Sequence, residues 1–304
     1  MKFSGVFTAL ITPFSGRAID EEAFRRLLRL QLRAGVSGLV PCGSTGEAAT
    51  LSALDKEWLV KTALEEAAGR VPVIAGIGTN DTKKAVEEAL EAQSWGASAL
   101  LVLAPYYNKP TQGGLYLHFK AVADAVRVPV IVYNIPGRTG VNLQPATLAR
   151  IAADCPNAEA VKEASGSLDQ VSEILSLCRP GFSVLSGDDS LTLPMMAVGA
   201  QGTISVVSNL LPRETARMCA AALAGDYAKA RRLHLQLFPL VKALFIETNP
   251  IPVKAAAHAM GLCANELRLP LTPMTPEGWQ KLHPELVRAG LLKQPRLLKP
   301  ARKK

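Results

Sequence analysis

The sequence predicts an α/β fold, a (β/α)8 TIM barrel with a C-terminal helical appendage, and three observations predict it. Eight short apolar runs recur over the first two-thirds of the chain. Most are apolar throughout rather than alternating, which is how parallel strands covered on both faces read. Stretches of helical period with start and stop signals separate them, and 304 residues suit one barrel with an addition.

The runs place strands at 5–11, 37–43, 71–78, 98–105, 128–134, 158–164, 182–187 and 202–207. Between the first two, Asp20 is set to cap a helix that stacks Phe24, Leu27 and Leu28 on one face and stops at Gly35. Ser52, with Asp55 three residues on, reads as a capping box opening a helix that ends near Gly69. Asn80 is expected to cap the next, which runs through Val86 and Leu90 to Gly96. From Pro212 onward the strand pattern stops and helical stretches follow at 212–225, 226–245, 251–260 and 276–292. Pro212 suits a first helical turn and Gly225 a helix stop. The chain thus divides into a catalytic barrel over 1–225, a helical region over 226–292 and a basic, unstructured tail over 293–304.

A composition of 48% hydrophobic and 20% charged residues supports a large core and excludes wholesale disorder. The sequence has no run of 18 apolar residues, so no membrane span is expected. The opening MKFSGVFTALITPF resembles a signal peptide only superficially, because Pro13 interrupts it and no small-residue cleavage site follows. A net charge of +8 invites a nucleic-acid reading. Six of those charges, Lys293, Arg296, Lys299, Arg302, Lys303 and Lys304, fall in the tail, and without them the balance is +2. No nucleic-acid partner is expected. Five scattered cysteines form no CxxC pair and the four histidines never take metal-ligand spacing, which argues for a reducing cytoplasm and chemistry without a metal. Neither GxGxxG nor GxxxxGK[ST] occurs, so no nucleotide cofactor is expected, and no other cofactor is called for.

Functional groups of a β/α barrel gather at the carboxyl ends of its strands. There this chain carries Gly43-Ser44-Thr45-Gly46-Glu47, Pro105-Tyr106-Tyr107-Asn108, Tyr133-Asn134-Ile135-Pro136-Gly137-Arg138, Lys162-Glu163, Ser186-Gly187-Asp188-Asp189 and Ser205. Lys162 is the sharpest signal, a lysine inside the apolar strand AEAVKEA. Desolvation disfavours an ammonium and leaves an amine able to attack a carbonyl; a strand-end lysine reaching back to water is the bland reading. The small-residue turn at 43–47 offers free backbone N–H groups and two hydroxyls for a carboxylate, although an ordinary βα turn would look alike. Tyr133 is either a packed aromatic or a proton carrier. Arg138, in a Pro/Gly loop, suits bidentate carboxylate binding. Together they describe a lysine that forms a Schiff base with a 2-oxo acid.

The order GSTGE, PYYNKP, YNIPGRTG, VKEASG and SGDD resembles the dihydrodipicolinate synthase family of lysine-dependent class I aldolases, from ITPF to LRLPLTP near residue 270. The resemblance implies that Lys162 is the Schiff-base lysine for pyruvate. It implies that Tyr133, Thr45 and Tyr107 form a proton relay, Tyr107 being contributed across a tight dimer. Ser44, where many members have threonine, and Thr45 would hold the pyruvate carboxylate through backbone groups. Arg138 would bind the carboxylate of L-aspartate 4-semialdehyde, and Gly187 and Ile204 would line the pocket. A homo-oligomer, a tetramer of two tight dimers, is implied as well. Lysine-sensitive relatives carry a glutamate and a histidine where this chain has Lys84 and Lys56, which implies weak inhibition by lysine. Two rivals stand beside this reading. A sibling aldolase, N-acetylneuraminate lyase or a 2-keto-3-deoxy sugar acid aldolase, would share Lys162, Tyr133 and GSTGE, but has less use for Arg138. A silent keto-acid sensor would not need the intact lysine, tyrosine and threonine.

Overall fold

The computed structural model describes residues 3–16 and 18–293. Among them eight parallel strands form the barrel: β1 Gly5–Ala9, β2 Gly38–Val40, β3 Ile74–Ile77, β4 Ala99–Leu103, β5 Val130–Asn134, β6 Ala158–Glu163, β7 Ser183–Ser186 and β8 Gly202–Ser205. Their ladder runs β2-β1-β8-β7-β6-β5-β4-β3, and a bridge between Leu39 and Val73 joins its two ends. Each strand is shorter than the apolar run that predicts it, because the ends of most runs leave the ladder to enter the connecting loops. A short antiparallel hairpin, Phe14–Ser15 with Ala18–Ile19, was not anticipated and follows β1.

The helices start where polar side chains can take up orphan N–H groups. In α1, Glu21–Ala34, Asp20 accepts from the Ala23 N–H and Gly35 closes the helix in the left-handed region. In α2, Ala53–Ala67, the Ser52–Asp55 capping box forms in both directions. In α3, Thr82–Ser94, the cap is Asp81 rather than Asn80: Asp81 accepts from the N–H groups of Lys83 and Lys84, while the Asn80 carbonyl accepts from the Asn108 amide. Leu90 lies exposed on this helix, whose buried face is Ala85, Ala89 and Ala92, small residues that let it pack close to the sheet.

Five more helices complete the ring: α4 Gln112–Ala125, α5 Pro145–Asp154, α6 Leu168–Leu177, the short α7 Thr192–Ala197, and α8 Pro212–Leu223, which begins at Pro212 and is followed by Gly225 at φ 78°. Three further helices follow, α9 Tyr227–Ala243, α10 Ile251–Ala259 and α11 Pro276–Arg288, with α11 packed on both others. The basic tail lies outside the described residues except for Lys293. Among the described residues no helix is long and apolar enough to cross a membrane.

The period of two along each strand separates two cores. Phe7, Ile74, Leu101, Ile131, Ala160 and Leu185 face into the barrel with Phe3 beside them, and the alternate positions pack under the helices. Burying each large side chain contributes about 1.5–3 kcal/mol. The filled interior leaves only the strand ends open for chemistry.

Candidate active site at the carboxyl ends of the strands

Ala160 and Lys162 share the inward face of β6, while Val161 and Glu163 point outward. Lys162 stands next to last in its strand and is 6% exposed. Its register partner on β5 is Tyr133, also buried, and the Lys162 Nζ lies 4.2 Å from the centroid of the Tyr133 ring. Among the described residues Nζ has no hydrogen bond or ion pair, so the ring face is its neighbour in place of a carboxylate. Gly187, just past β7, is required by this packing. A Cβ there would stand 3.1 Å from Lys162 Cε and 2.8 Å from the Ala164 Cβ, so a side chain would push on the lysine stem.

Glu163 faces the other way and is tied down. Its carboxylate accepts from Asn134 Nδ2 at 3.0 Å, from the Ser165 N–H at 2.7 Å and from Gln170 Nε2 at 3.2 Å, which fixes the end of β6 against β5 and α6. Asp189 does the same for β8. Its carboxylate accepts from the N–H groups of Val206 and Val207, and burial pushes its pKa up, against the pull of those bonds and of Ser205. Ile204, one residue before the end of β8, packs inside the barrel in the same cluster as Tyr133.

The turn after β2 is a 3-10 helix, Ser44–Gly46. Its bonds run from the Gly46 N–H to Gly43 O and from the Glu47 N–H to Ser44 O. The N–H groups of Ser44 and Thr45 therefore have no acceptor inside the turn. Thr45 is buried, and its Oγ1 accepts from Asn249 Nδ2 at 2.9 Å. Arg138 sits on a single helical turn, Pro136–Thr139, and its Nη2 donates to the Asn249 carbonyl at 2.8 Å.

A cavity of about 540 Å³ opens here. Ser44, Tyr133, Arg138 and Asn249 are among its walls, and it continues past Lys56 and Glu88. Lys162, Thr45, Gly187 and Ile204 are not among its walls, although Lys162 lies against the Tyr133 ring that is. Tyr107 stands apart, 85% exposed with φ 71°, its backbone N–H on Thr139 O at 3.3 Å. The site also contains a residue the sequence reading missed. Asn249 bridges Thr45 and Arg138 from the segment that leads into α10, far away in sequence and without a motif of its own.

Residues 2–289 match the profile of the Dihydrodipicolinate synthetase family. The chain belongs to that family. A 4-hydroxy-tetrahydrodipicolinate synthase of Nitratidesulfovibrio vulgaris is 51% identical over 292 residues, covering 96% of this chain and all of the relative. Among solved structures of the family, the dihydrodipicolinate synthase of Thermotoga maritima superposes with a TM-score of 0.95 at 46% identity, over 96% of this chain and 100% of that one. The chloride-inhibited dihydrodipicolinate synthase of Acinetobacter baumannii, complexed with pyruvate, gives 0.93 at 40% identity over 95% and 99%.

Proposed function

We propose that this enzyme condenses pyruvate with L-aspartate 4-semialdehyde to give 4-hydroxytetrahydrodipicolinate, with Lys162 as the covalent catalyst. The observation that carries the reading is a buried lysine amine with no ionic partner among the described residues, lying on a tyrosine ring beside a cavity at the barrel mouth. Family membership supplies the substrates.

The Lys162 amine attacks C2 of pyruvate, and loss of water leaves an imine. The N–H groups of Ser44 and Thr45 hold the pyruvate carboxylate. Removal of a C3 proton gives the enamine, whose C3 attacks the aldehyde carbon while the aldehyde oxygen takes up a proton. The amino group of the second substrate then adds to C2, the ring closes, and the C2–Nζ bond breaks to release Lys162. Tyr133 and Thr45 relay the protons, with Tyr107 of a neighbouring subunit completing the chain. Because Thr45 Oγ1 accepts from Asn249, its own hydroxyl proton is left to donate onward. Arg138, steadied by the Asn249 carbonyl, holds the carboxylate of the semialdehyde. Gly187 and Ile204 shape the pocket. No cofactor takes part in this scheme.

The exposure of Tyr107 supports a homo-oligomer, a tetramer built from two tight dimers, and the five free cysteines suit a reducing cytoplasm. Incubation with pyruvate and borohydride tests the central step. The expected result is a stable adduct on the peptide containing Lys162; an adduct on another lysine, or none, overturns the mechanism.

A further inference from the structure

Two residues beyond Thr45 lies Glu47, at φ 58° and ψ 37°, in the left-handed region although it is not glycine. It joins two 3-10 turns, Ser44–Gly46 and Ala48–Thr50, so its backbone sets how the first turn leaves the barrel. Such a conformation persists only when its surroundings over-determine it, and here they do. Glu47 Oε1 receives Lys254 Nζ at 2.5 Å and Oε2 receives the Arg268 N–H at 2.9 Å. Lys254 also donates to Glu266 O at 2.6 Å and rests 4.1 Å from the centroid of the Phe14 ring. The side chains of both partners are sealed from water, 0% exposed for Lys254 and 1% for Glu47.

A buried ion pair is a poor source of stability compared with apolar packing, and its best-attested use is to fix register. This pair fixes the far end of a short turn, and Asn249 holds its middle residue, Thr45. Both grips come from one stretch of chain, at and just before α10. We propose that Lys254 and Glu47 are positioning residues that aim the Ser44–Gly46 turn at the 2-oxo acid carboxylate, so that the helices after the barrel set the affinity for the first substrate. The inference rests on the assignment of that turn to pyruvate. Removing the ammonium leaves a buried carboxylate with a single backbone donor, and the turn relaxes from the left-handed conformation at Glu47. Lys162 is on a separate strand and keeps its place. Burial lowers the pKa of Lys254 and Glu47 opposes this, so the amine depends on the carboxylate as much as the reverse.

The test uses the full-length enzyme and the variants Lys254→Met and Glu47→Gln, with pyruvate as the probe. The concentration dependence of borohydride trapping by pyruvate alone gives the affinity of the first step, and the KM for aspartate semialdehyde at saturating pyruvate reports the second. We expect the pyruvate requirement to rise tenfold or more in Lys254→Met and by a smaller factor in Glu47→Gln, which keeps an acceptor for the Arg268 N–H. The semialdehyde KM should change less than threefold, and saturating pyruvate should still label Lys162. Thermal melting by circular dichroism confirms that each variant is folded at the assay temperature; if Lys254→Met does not fold, Glu47→Gln alone decides. A lowered melting temperature with the pyruvate requirement within twofold of wild type overturns the proposal, as does an equal rise for both substrates. Failure of the wild-type enzyme to trap pyruvate would instead overturn the assignment of the turn.

Discussion

Lys162 and Tyr133 are register partners on adjacent parallel strands, and the lysine amine lies 4.2 Å from the centroid of the tyrosine ring. The ring gives the amine a neighbour that attracts a cation without committing it to an ion pair. The phenol hydroxyl can serve separately as a proton carrier. The two functions of Tyr133 can therefore be divided by substitution. Tyr133→Phe keeps the ring and removes the hydroxyl. Borohydride trapping at saturating pyruvate should persist, while kcat falls by about 10²–10⁴, the usual contribution of a positioned acid or base. Loss of trapping in this variant would place the hydroxyl in imine formation as well.

Gly187→Ala tests the close approach on the other side of the lysine. The new methyl would stand 3.1 Å from Lys162 Cε and 2.8 Å from the Ala164 Cβ, and the strand end is held by the bond from the Gly187 N–H to Glu163 O. The flexible stem must give way, so the imine should form more slowly while the melting temperature falls by only a few degrees. Wild-type trapping rates would show that the lysine has room to spare.

These strand-borne groups were legible because a lysine in a short β-strand and a tyrosine ending an apolar one are conspicuous, and because strand order places such residues on one rim. The capping boundaries were legible to within one residue. Asn80 and Asp81 are both good caps by type, and only the backbone direction at Asp81 decides between them. What the sequence hid came from the helices after the barrel. Asn249 reaches Thr45 across more than two hundred residues, and no local pattern marks that contact. Lys254 could have been found, since IPVKAAAHAM shows a lone charge among apolar residues. Its partner Glu47 was visible in GSTGE, but nothing local says that the two meet.

Arg138→Ala should damage use of aspartate semialdehyde far more than formation of the pyruvate imine. Arg138 is exposed at the barrel mouth, and losing its charge-assisted contact to the substrate carboxylate costs about 1.5–3 kcal/mol, so kcat/KM for the semialdehyde should fall by at least about tenfold. The bond from Nη2 to the Asn249 carbonyl is lost too, and a small effect on the Thr45 side of the site is expected. Equal losses in the two half-reactions would assign Arg138 a purely structural part.

His118 gives the fold a pH dependence that can be predicted in sign. It is buried on α4, its Nδ1 is 3.0 Å from Thr82 Oγ1, and its Nε2 is buried without a partner among the described residues. Burial pushes its pKa from 6.5 down to about 4. Between those values the unfolded chain binds a proton that the folded one does not, so this contribution is full above pH 6.5 and is lost as pH falls toward 4. The drop corresponds to about 3 kcal/mol at most. His118→Phe should flatten the fall in melting temperature across that window, and an unchanged slope would assign the dependence to other groups.

Lysine should inhibit this enzyme weakly. The family resemblance in the sequence implies a glutamate and a histidine at the positions of Lys84 and Lys56 in lysine-sensitive members, and a ligand with two ammonium groups needs negative partners there. Lys84 is exposed on α3 and offers none. Lys56 pairs with Glu88 at 2.8 Å, and the second oxygen of Glu88 accepts from the Gly78 N–H at 3.0 Å. The nearby carboxylate is thus already occupied, on the same cavity wall where Tyr106 is retained. An incoming ammonium must displace Lys56 from a half-buried ion pair and then face its charge, a like-charge cost only partly screened by salt. Half-inhibition should therefore lie above about 1 mM, an affinity weaker than about −4 kcal/mol. Lys84→Glu should lower that concentration by adding a carboxylate, and Lys56→His should lower it further by freeing Glu88. Inhibition of the wild-type enzyme well below millimolar lysine, or no response in the double variant, would show that the effector binds elsewhere.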